Sequence, residues 1–547
     1  MQLKKLTHLY KYLLSILLLG TFSFLINYHY GFIGLMPMDN TVLYNGGYRI
    51  LNGYIPFNDY WLVTGPLLDY LNALFFQLFD LSWNSFIIHS SFFNVLFGVS
   101  SYLLFLQLKL SNKYSLIYSA FISILFYPVV GTPFVDHHST FFLILAFYSL
   151  ILAINKKQYS YYIIIPILFC LSFLSKQTPA VYGLFAVIIL ILTFCYFDKK
   201  NAKKIIYYSL IGSLIAFFLL FLFFLITKIN LSNFFTQSLI AFFLLFLFFL
   251  ITKINLSNFF TQYFLFAGSI GDHRFSVYEL NLFQEILSFK FIFYFVFILM
   301  LILFNLITKK NSKKEEVFTI VISILLASVL IFHQFYTLNQ KYIFFLIPYL
   351  CGITHIFYNK SFNKNYFLIF SILLCIFSVT KYHLRFNEQR KFNELENIDI
   401  SKAVDAKDLS QSLRGLKWIT SQNPENPKQE LENLKEVVNF LKFDSTRKVL
   451  ITDYQVLAPI SGIYDFSPNQ WHHPTVSFPL QGQKYFETYK QFFIENLKKN
   501  EIQFILETSE SGQTITGLIL DESCIQKKRF NEMLIKISLL NNCEDLK

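Results

Sequence analysis

Asp39, Asp59, Asp69, Asp136, His137, His138, Lys176, Asp272, His273, Arg274 and Lys341 all fall in or beside the short segments that separate long apolar runs. A carboxylate placed there can take the proton of an acceptor hydroxyl. Lys or Arg can stabilise the charge left on a departing phosphate. Phosphate leaves well, so such a transfer needs no separate general acid. Three of the acids, Asp39, Asp59 and Asp69, lie in MPMDNTVLYNGGYRILNGYIPFNDYWLVTGPLLDY (Met36–Tyr70), an acidic, glycine- and aromatic-rich stretch just after the first apolar run. A carboxylate at a membrane face can deprotonate an acceptor while a lipid-borne partner stays in the bilayer.

The elements that position these residues are apolar helices. The 547-residue chain is 54% apolar and 15% charged, and several runs approach the roughly 20 residues that span a bilayer core. This pattern predicts a polytopic α-helical membrane protein of about 11–12 transmembrane helices. The net charge of +12 follows from basic loops on the cytoplasmic side, so no nucleic-acid partner is implied. Expected spans fall near 12–30, 85–107, 114–130, 139–154, 160–175, 179–197, 205–226, 288–308, 317–333, 342–358 and 364–380. Lys4, Lys5 and Lys11 precede the first span and place the N-terminus in the cytoplasm. Basic loops at Lys109/Lys113, Lys156/Lys157 and Lys199–Lys204 then also fall inside. The 31–66 loop and the loops holding Asp136 and Lys176 fall outside. The first span lacks a small-residue cleavage site and reads as an uncleaved anchor.

Ser213–Gln237 (SLIAFFLLFLFFLITKINLSNFFTQ) recurs letter for letter as Ser238–Gln262. The apolar part of the second copy, Ser238–Ile251, is about 21 Å long as a helix, short of a roughly 30 Å core. A full crossing there would put the basic loop Lys309–Lys314 outside, so the second copy is expected not to cross. Beyond about Tyr382 the composition turns mixed and charged. Residues 1–384 thus read as a transmembrane domain and 385–547 as a soluble extracytoplasmic α/β domain. In it, helices are expected over Gln429–Phe443 and Tyr489–Leu497 and at the C-terminus. Strands are expected over Lys448–Tyr454, Gln503–Glu507 and Ile515–Leu520. Four of the six cysteines lie in spans as packing residues; an oxidising exterior would permit Cys524 and Cys543 to pair. His89 and His333 read as hydrogen-bonded packing residues. Trp471-His472-His473 reads as an aromatic corner.

Five segments in order carry a family likeness. Asp39, then Gly53–Asp59 (GYIPFND), then Pro66–Leu71 (PLLDYL) resemble the first outer loop of the GT-C superfamily of membrane glycosyltransferases. The branch concerned includes protein O-mannosyltransferases and the lipid A aminoarabinose transferase. Phe134–Phe142 (FVDHHSTFF), Ser175–Gly183 (SKQTPAVYG), Gly271–Phe275 (GDHRF) and Asn339–Pro348 (NQKYIFFLIP) resemble later elements of that branch. The resemblance implies Asp39 as catalytic base, with Asp59 in support. It implies Lys176, Arg274, Lys341 and Tyr342 as contacts to the donor phosphate, and Asp136 as an acceptor or metal contact. Where many relatives carry Asp-Glu, this chain has Asp39-Asn40, which removes one carboxylate from a possible divalent-cation site. Thr64-Gly65 stands where some relatives have a lysine before the Pro-Leu helix.

What the likeness implies is an inverting glycosyltransferase in the plasma (inner) membrane. It would move a monosaccharide from a polyprenyl-phosphate donor to an extracytoplasmic lipid, glycan or protein acceptor. A lipid or polysaccharide transporter is the rival reading, and a non-catalytic envelope-assembly subunit is another. A transporter should concentrate polar residues near the bilayer midplane and show related halves. Here the charged residues cluster at the outer face, and the only clear repeat is local.

Overall fold

The computed structural model describes residues 2–227, 258, 260–270, 286–308, 313–337, 342–361, 365–508 and 514–540. The chain is mostly helical, and eight helices among the described residues are long and apolar enough to cross a membrane. It is a polytopic helical membrane protein with small sheets toward its C-terminus. Each of the eleven expected spans coincides with a helix, from Gln2–Tyr30, Trp83–Gln107, Asn112–Leu125 and Val135–Lys156 through to Leu346–Ser361 and Tyr366–His383. Most of the second copy of the repeat lies outside the described residues, as does the question of whether it crosses.

By contacts the chain divides into two units. One comprises residues 1–33, 87–219 and 278–398; the other comprises 34–86, 220–277 and 399–547.

In the first unit, hydroxyls on apolar helices bond back to their own backbone, as with Ser101 to Phe97 O and Ser123 to Ser119 O. That removes the cost of a bare hydroxyl in an apolar setting. Interhelical polar contacts then fix the packing. The Asn27 amide donates to Ser90, Ser91 and the carbonyl of Gly131. The buried guanidinium of Arg390 donates to the carbonyls of Ile33, Pro128 and Val130 at 2.8–3.0 Å. Gly131, with φ +84°, passes so close to Gly31 that a Cβ there would stand 2.8 Å from the Gly31 Cα. Only glycine permits that crossing.

The second unit is built from two short helices, Val42–Leu51 and Leu67–Phe79, and a C-terminal α/β region. Strands β1 (Val404–Asp405) and β2 (Lys417–Trp418) pair antiparallel. Strands β3 (Lys448–Ile451), β4 (Phe504–Thr508), β5 (Ile525–Arg529) and β6 (Leu534–Leu539) form a mixed sheet of order β3-β4-β6-β5, with β3 and β4 parallel. Helices Pro427–Phe443 and Phe486–Lys499 match the sequence expectation closely. The core gathers Val449, Ile451, Tyr489, Phe493, Ile505 and Ile537 around Trp61.

Two expected elements differ. Ile515–Ile519 is a short helix rather than a strand: Thr514 caps it by accepting from Gly517 N–H, and the Glu507 carboxylate accepts the N–H groups of Ile515 and Thr516. The expected C-terminal helix is instead the β5–β6 hairpin, whose turn Asn531 organises by accepting from the N–H groups of Met533 and Leu534. Among the cysteines, Cys170, Cys195, Cys351 and Cys375 are free thiols and Cys524 is disulfide-bonded; Cys543 lies outside the described residues.

Candidate functional site

In the first unit Asp136 stands in the first turn of the Val135–Lys156 helix, where a carboxylate suits the positive end of the helix dipole. Lys176 occupies the extended link between the Ser160–Ser175 and Gln177–Phe197 helices (φ −159°, ψ 139°). Two bonds hold that link. Lys176 N–H donates to Ser172 O at 3.0 Å, and the Ser139 hydroxyl donates to the Lys176 carbonyl at 3.1 Å. The lysine is thereby aimed at the aspartate, and its ammonium meets both carboxylate oxygens at 2.7 and 2.8 Å. His333 Nε2 completes the cluster at 3.0 Å from Asp136 Oδ1. The carboxylate is 1% exposed and His333 0%, while the lysine side chain retains 17%. The lysine is thus the member of this cluster that an anion can reach.

The flanking residues make an aromatic and imidazole wall. The His137 ring stacks on Tyr342 at 4.2 Å between centroids, and the Tyr342 hydroxyl lies 3.2 Å from Thr140 Oγ1. His138 bonds to the Tyr127 hydroxyl and, through Nε2, to His89 at 3.0 Å. The adjacent histidines therefore point to different partners. Asp136, Lys176 and Tyr342 are brought together on one side of the unit, with His333 added; Arg274 and Lys341 lie outside the described residues. His333, read from sequence as a packing residue, is bonded directly to the candidate carboxylate.

The second unit holds Asp39 and Asp59. Asp39 is in the turn Pro37–Thr41 and is partly exposed. Its neighbours carry the structure of that turn. Asn40 Oδ1 accepts from Met36 N–H at 2.8 Å. The Thr41 hydroxyl donates to the carbonyls of Pro37 and Asp453, and its oxygen accepts from Gln455 N–H. Asp59 is engaged locally: it accepts from Ile55 N–H at 2.7 Å and Asn58 Nδ2 at 3.0 Å, and pairs with Lys499 at 2.8 Å. Its bonds order the Ile55–Asp59 turn and tie it to the Phe486–Lys499 helix.

Sequence reasoning named Asp69 but missed Arg49 and Asp465, the ion pair in the same buried core. Arg49 is buried, pairs with Asp465 through Nε (2.9 Å) and Nη2 (2.6 Å), donates to Asn469 O, and lies 4.8 Å from the centre of the Tyr60 ring. Asp69 accepts from the Tyr60 hydroxyl and from Gln470, each at 2.9 Å. Gly46 and Gly47 allow the two short helices to meet: a Cβ on Gly46 would stand 2.2 Å from Asp69 Oδ1. The Gly-Gly pair facing a helix with an acidic residue is the one sequence signal that could have pointed here. The His472 side chain is buried, with burial holding its pKa down to about 3. Among the described residues no group of three or more His, Cys, Asp or Glu side chains is arranged to hold a metal ion.

No curated protein matches the chain. Residues 63–222 match the family described as dolichyl-phosphate-mannose-protein mannosyltransferase. That stretch contains Asp136 and Lys176, while Asp39 and Asp59 precede it and Tyr342 follows. The GT-C likeness is thereby borne out over residues 63–222, the part that holds Pro66–Leu71, Phe134–Phe142 and Ser175–Gly183, within a multi-pass membrane protein.

Proposed function

We propose that the protein is an inverting glycosyltransferase that moves a monosaccharide from a polyprenyl-phosphate donor to an extracytoplasmic lipid, glycan or protein acceptor. The observation that carries this reading is the family match across 63–222, within which the lysine and aspartate singled out from sequence form a nearly buried pair. The proposed setting is the plasma membrane, with the N-terminus cytoplasmic and residues 385–547 outside. Asp39 takes the proton of the acceptor hydroxyl. The acceptor oxygen then bonds to the anomeric carbon from the face opposite the phosphate. The bond from that carbon to the phosphate oxygen breaks, and the electron pair leaves with the polyprenyl phosphate. Lys176, together with Arg274, Lys341 and Tyr342, holds the phosphate as its charge grows. Asp136, shielded from solvent and bonded to Lys176 and His333, fixes the lysine. Asp59 supports the loop.

The partial exposure of Asp39, beside an Asn40 and Thr41 whose side chains are committed to the turn, favours it as the reactive acid. The test is transfer of radiolabelled sugar from a polyprenyl-phosphate donor in membranes holding the full chain. Asp39→Asn is expected to reduce transfer by about 10²–10⁴-fold, the range for loss of a general base, with unchanged membrane insertion. Near-normal transfer by that variant removes Asp39 from the role. Absence of transfer from every polyprenyl-phosphate sugar supplied to the unaltered protein overturns the reading.

A further inference from the structure

Within the first unit, a cavity of about 750 Å³ opens beside Lys290, Lys381, Arg385 and Lys391, against Glu394 and Glu396. That volume is in the range of small-molecule sites, roughly 300–1,000 Å³. Its floor is aromatic: Phe344 stacks on Tyr382 at 3.5 Å between centroids, and Phe386 packs 5.6 Å from Phe344. Lys290 stands at the start of the Lys290–Thr308 helix and Lys381 at the end of the Tyr366–His383 helix, both helices in the set apolar and long enough to cross a membrane, while Arg385, Lys391, Glu394 and Glu396 follow in the segment after the second helix. The cavity therefore belongs at a helix-end level, where headgroups lie.

The charges neutralise one another only in part. Lys391 pairs with Glu396, and Arg385 reaches the same carboxylate only at 3.8 Å. Among the described residues Arg385 Nε has no hydrogen-bond partner, while the side chain as a whole is 42% exposed. Lys290 and Lys381 have no carboxylate partner among the described residues. Instead both ammonium groups lie over the one ring of Phe291, at 5.6 and 5.5 Å from its centre. Two like charges over one ring repel, and the nearby Arg385 adds to this. Helix stability accounts for Lys381, which stands in the last turn of its helix where the dipole favours a cation, but not for Lys290. Lys290 is the first residue of its helix, the end where the dipole disfavours a cation and favours an anion. An anion seated among Lys290, Lys381 and Arg385 would relieve the repulsion, and the aromatic floor suits the glycerol or acyl portion behind a headgroup.

We infer that this cleft binds the phosphate headgroup of a membrane lipid. The site contains none of the residues assigned to sugar transfer, and its occupancy does not depend on the transferase reading. Basic pockets between helix ends hold anionic lipids in this way, each cation near the surface contributing modestly. Two lipids share the chemistry, an anionic glycerophospholipid and a polyprenyl phosphate.

The experiment measures binding of phosphatidylglycerol, phosphatidylcholine, polyprenyl phosphate and inorganic phosphate to the full-length protein in detergent. It compares the unaltered chain with the Lys290→Gln/Lys381→Gln double variant, each checked for an unchanged thermal transition. At least one anionic lipid is expected to bind more tightly than phosphatidylcholine and to lose about 10- to 30-fold in the double variant. Whichever anionic lipid loses affinity names the source. Glu396→Gln frees Arg385 and Lys391 and is expected to tighten binding, which keeps a readout if the double variant fails to fold. Equal binding of phosphatidylcholine, inorganic phosphate binding as tightly as the lipids, or unchanged affinity in the folded double variant together with no tightening by Glu396→Gln overturns the inference.

Discussion

The Lys176 ammonium reaches both oxygens of Asp136, at 2.7 and 2.8 Å, in a pocket where the carboxylate is almost wholly shielded from solvent. The pair joins the first turn of the Val135–Lys156 helix to the link after the Ser160–Ser175 helix, so each partner pins the other's backbone. Removing one member leaves an uncompensated charge. Lys176→Met is expected to cost about 3–5 kcal/mol in thermal or denaturant unfolding of the purified protein. The paired change Asp136→Asn/Lys176→Gln is expected to recover a large part of that loss while still failing to transfer sugar. Full stability of Lys176→Met alone would show that the pair carries little energy.

Glu507 lies within β4, and its carboxylate accepts from Thr516 Oγ1 at 2.7 Å and Thr516 N–H at 3.1 Å. Those bonds favour the ionised form, yet burial outweighs them and pushes its pKa up to about 7. In the unfolded chain the group titrates near 4.5. Between these values the folded state holds a proton that the unfolded state has released. Stability therefore falls as pH rises from about 4.5 to 7 and levels off above, by up to about 1.4 kcal/mol per pH unit from this group. Glu507→Gln is expected to flatten that slope in the unfolding midpoint of the purified protein; an unchanged slope would assign it to other groups.

Gly46 faces Asp69 at a helix crossing with no room for a side chain. Gly46→Ala gains intrinsic helix preference, worth up to about 1 kcal/mol. It also forces the Asp69 carboxylate off its bonds to Tyr60 and Gln470. The net expectation is a loss of about 1–3 kcal/mol, read as a lower unfolding midpoint. A stabilised Gly46→Ala protein would show that the two helices can separate freely.

How much of this was visible in the residues divides along distance in the chain. Spans were legible because hydropathy over a 20-residue window is a local property, and each expected span has its helix. The site was legible as a set of residue types, not as a geometry. Asp136 meets Lys176 across 40 positions and His333 across 197, and no local pattern sets that register. The C-terminal misassignments have the same cause. ITGLIL is an apolar run that suits a strand or a helix equally, and the deciding partner is Glu507, on another element. Asn40 read as a missing carboxylate; folded, its side chain accepts from Met36 N–H and orders the turn that presents Asp39. The Arg49–Asp465 pair joins positions more than 400 residues apart, and beyond the Gly46-Gly47 pair beside Arg49 no local pattern points to it.

Gln262, the last letter of the second repeat copy, accepts from Leu62 N–H at 2.9 Å and donates to Phe57 O. Because the copies are identical, cutting out 25 residues from either yields one and the same shorter chain. That chain still carries the helix sequence of 199–227 and still places a glutamine immediately before Tyr263. The duplication is thus a removable insert with self-matching ends, like a cassette whose excision leaves no scar. The excised protein is expected to insert in the membrane, keep its thermal transition and transfer sugar as the full chain does. Loss of insertion on excision would mean the second copy has become part of the membrane path of the chain.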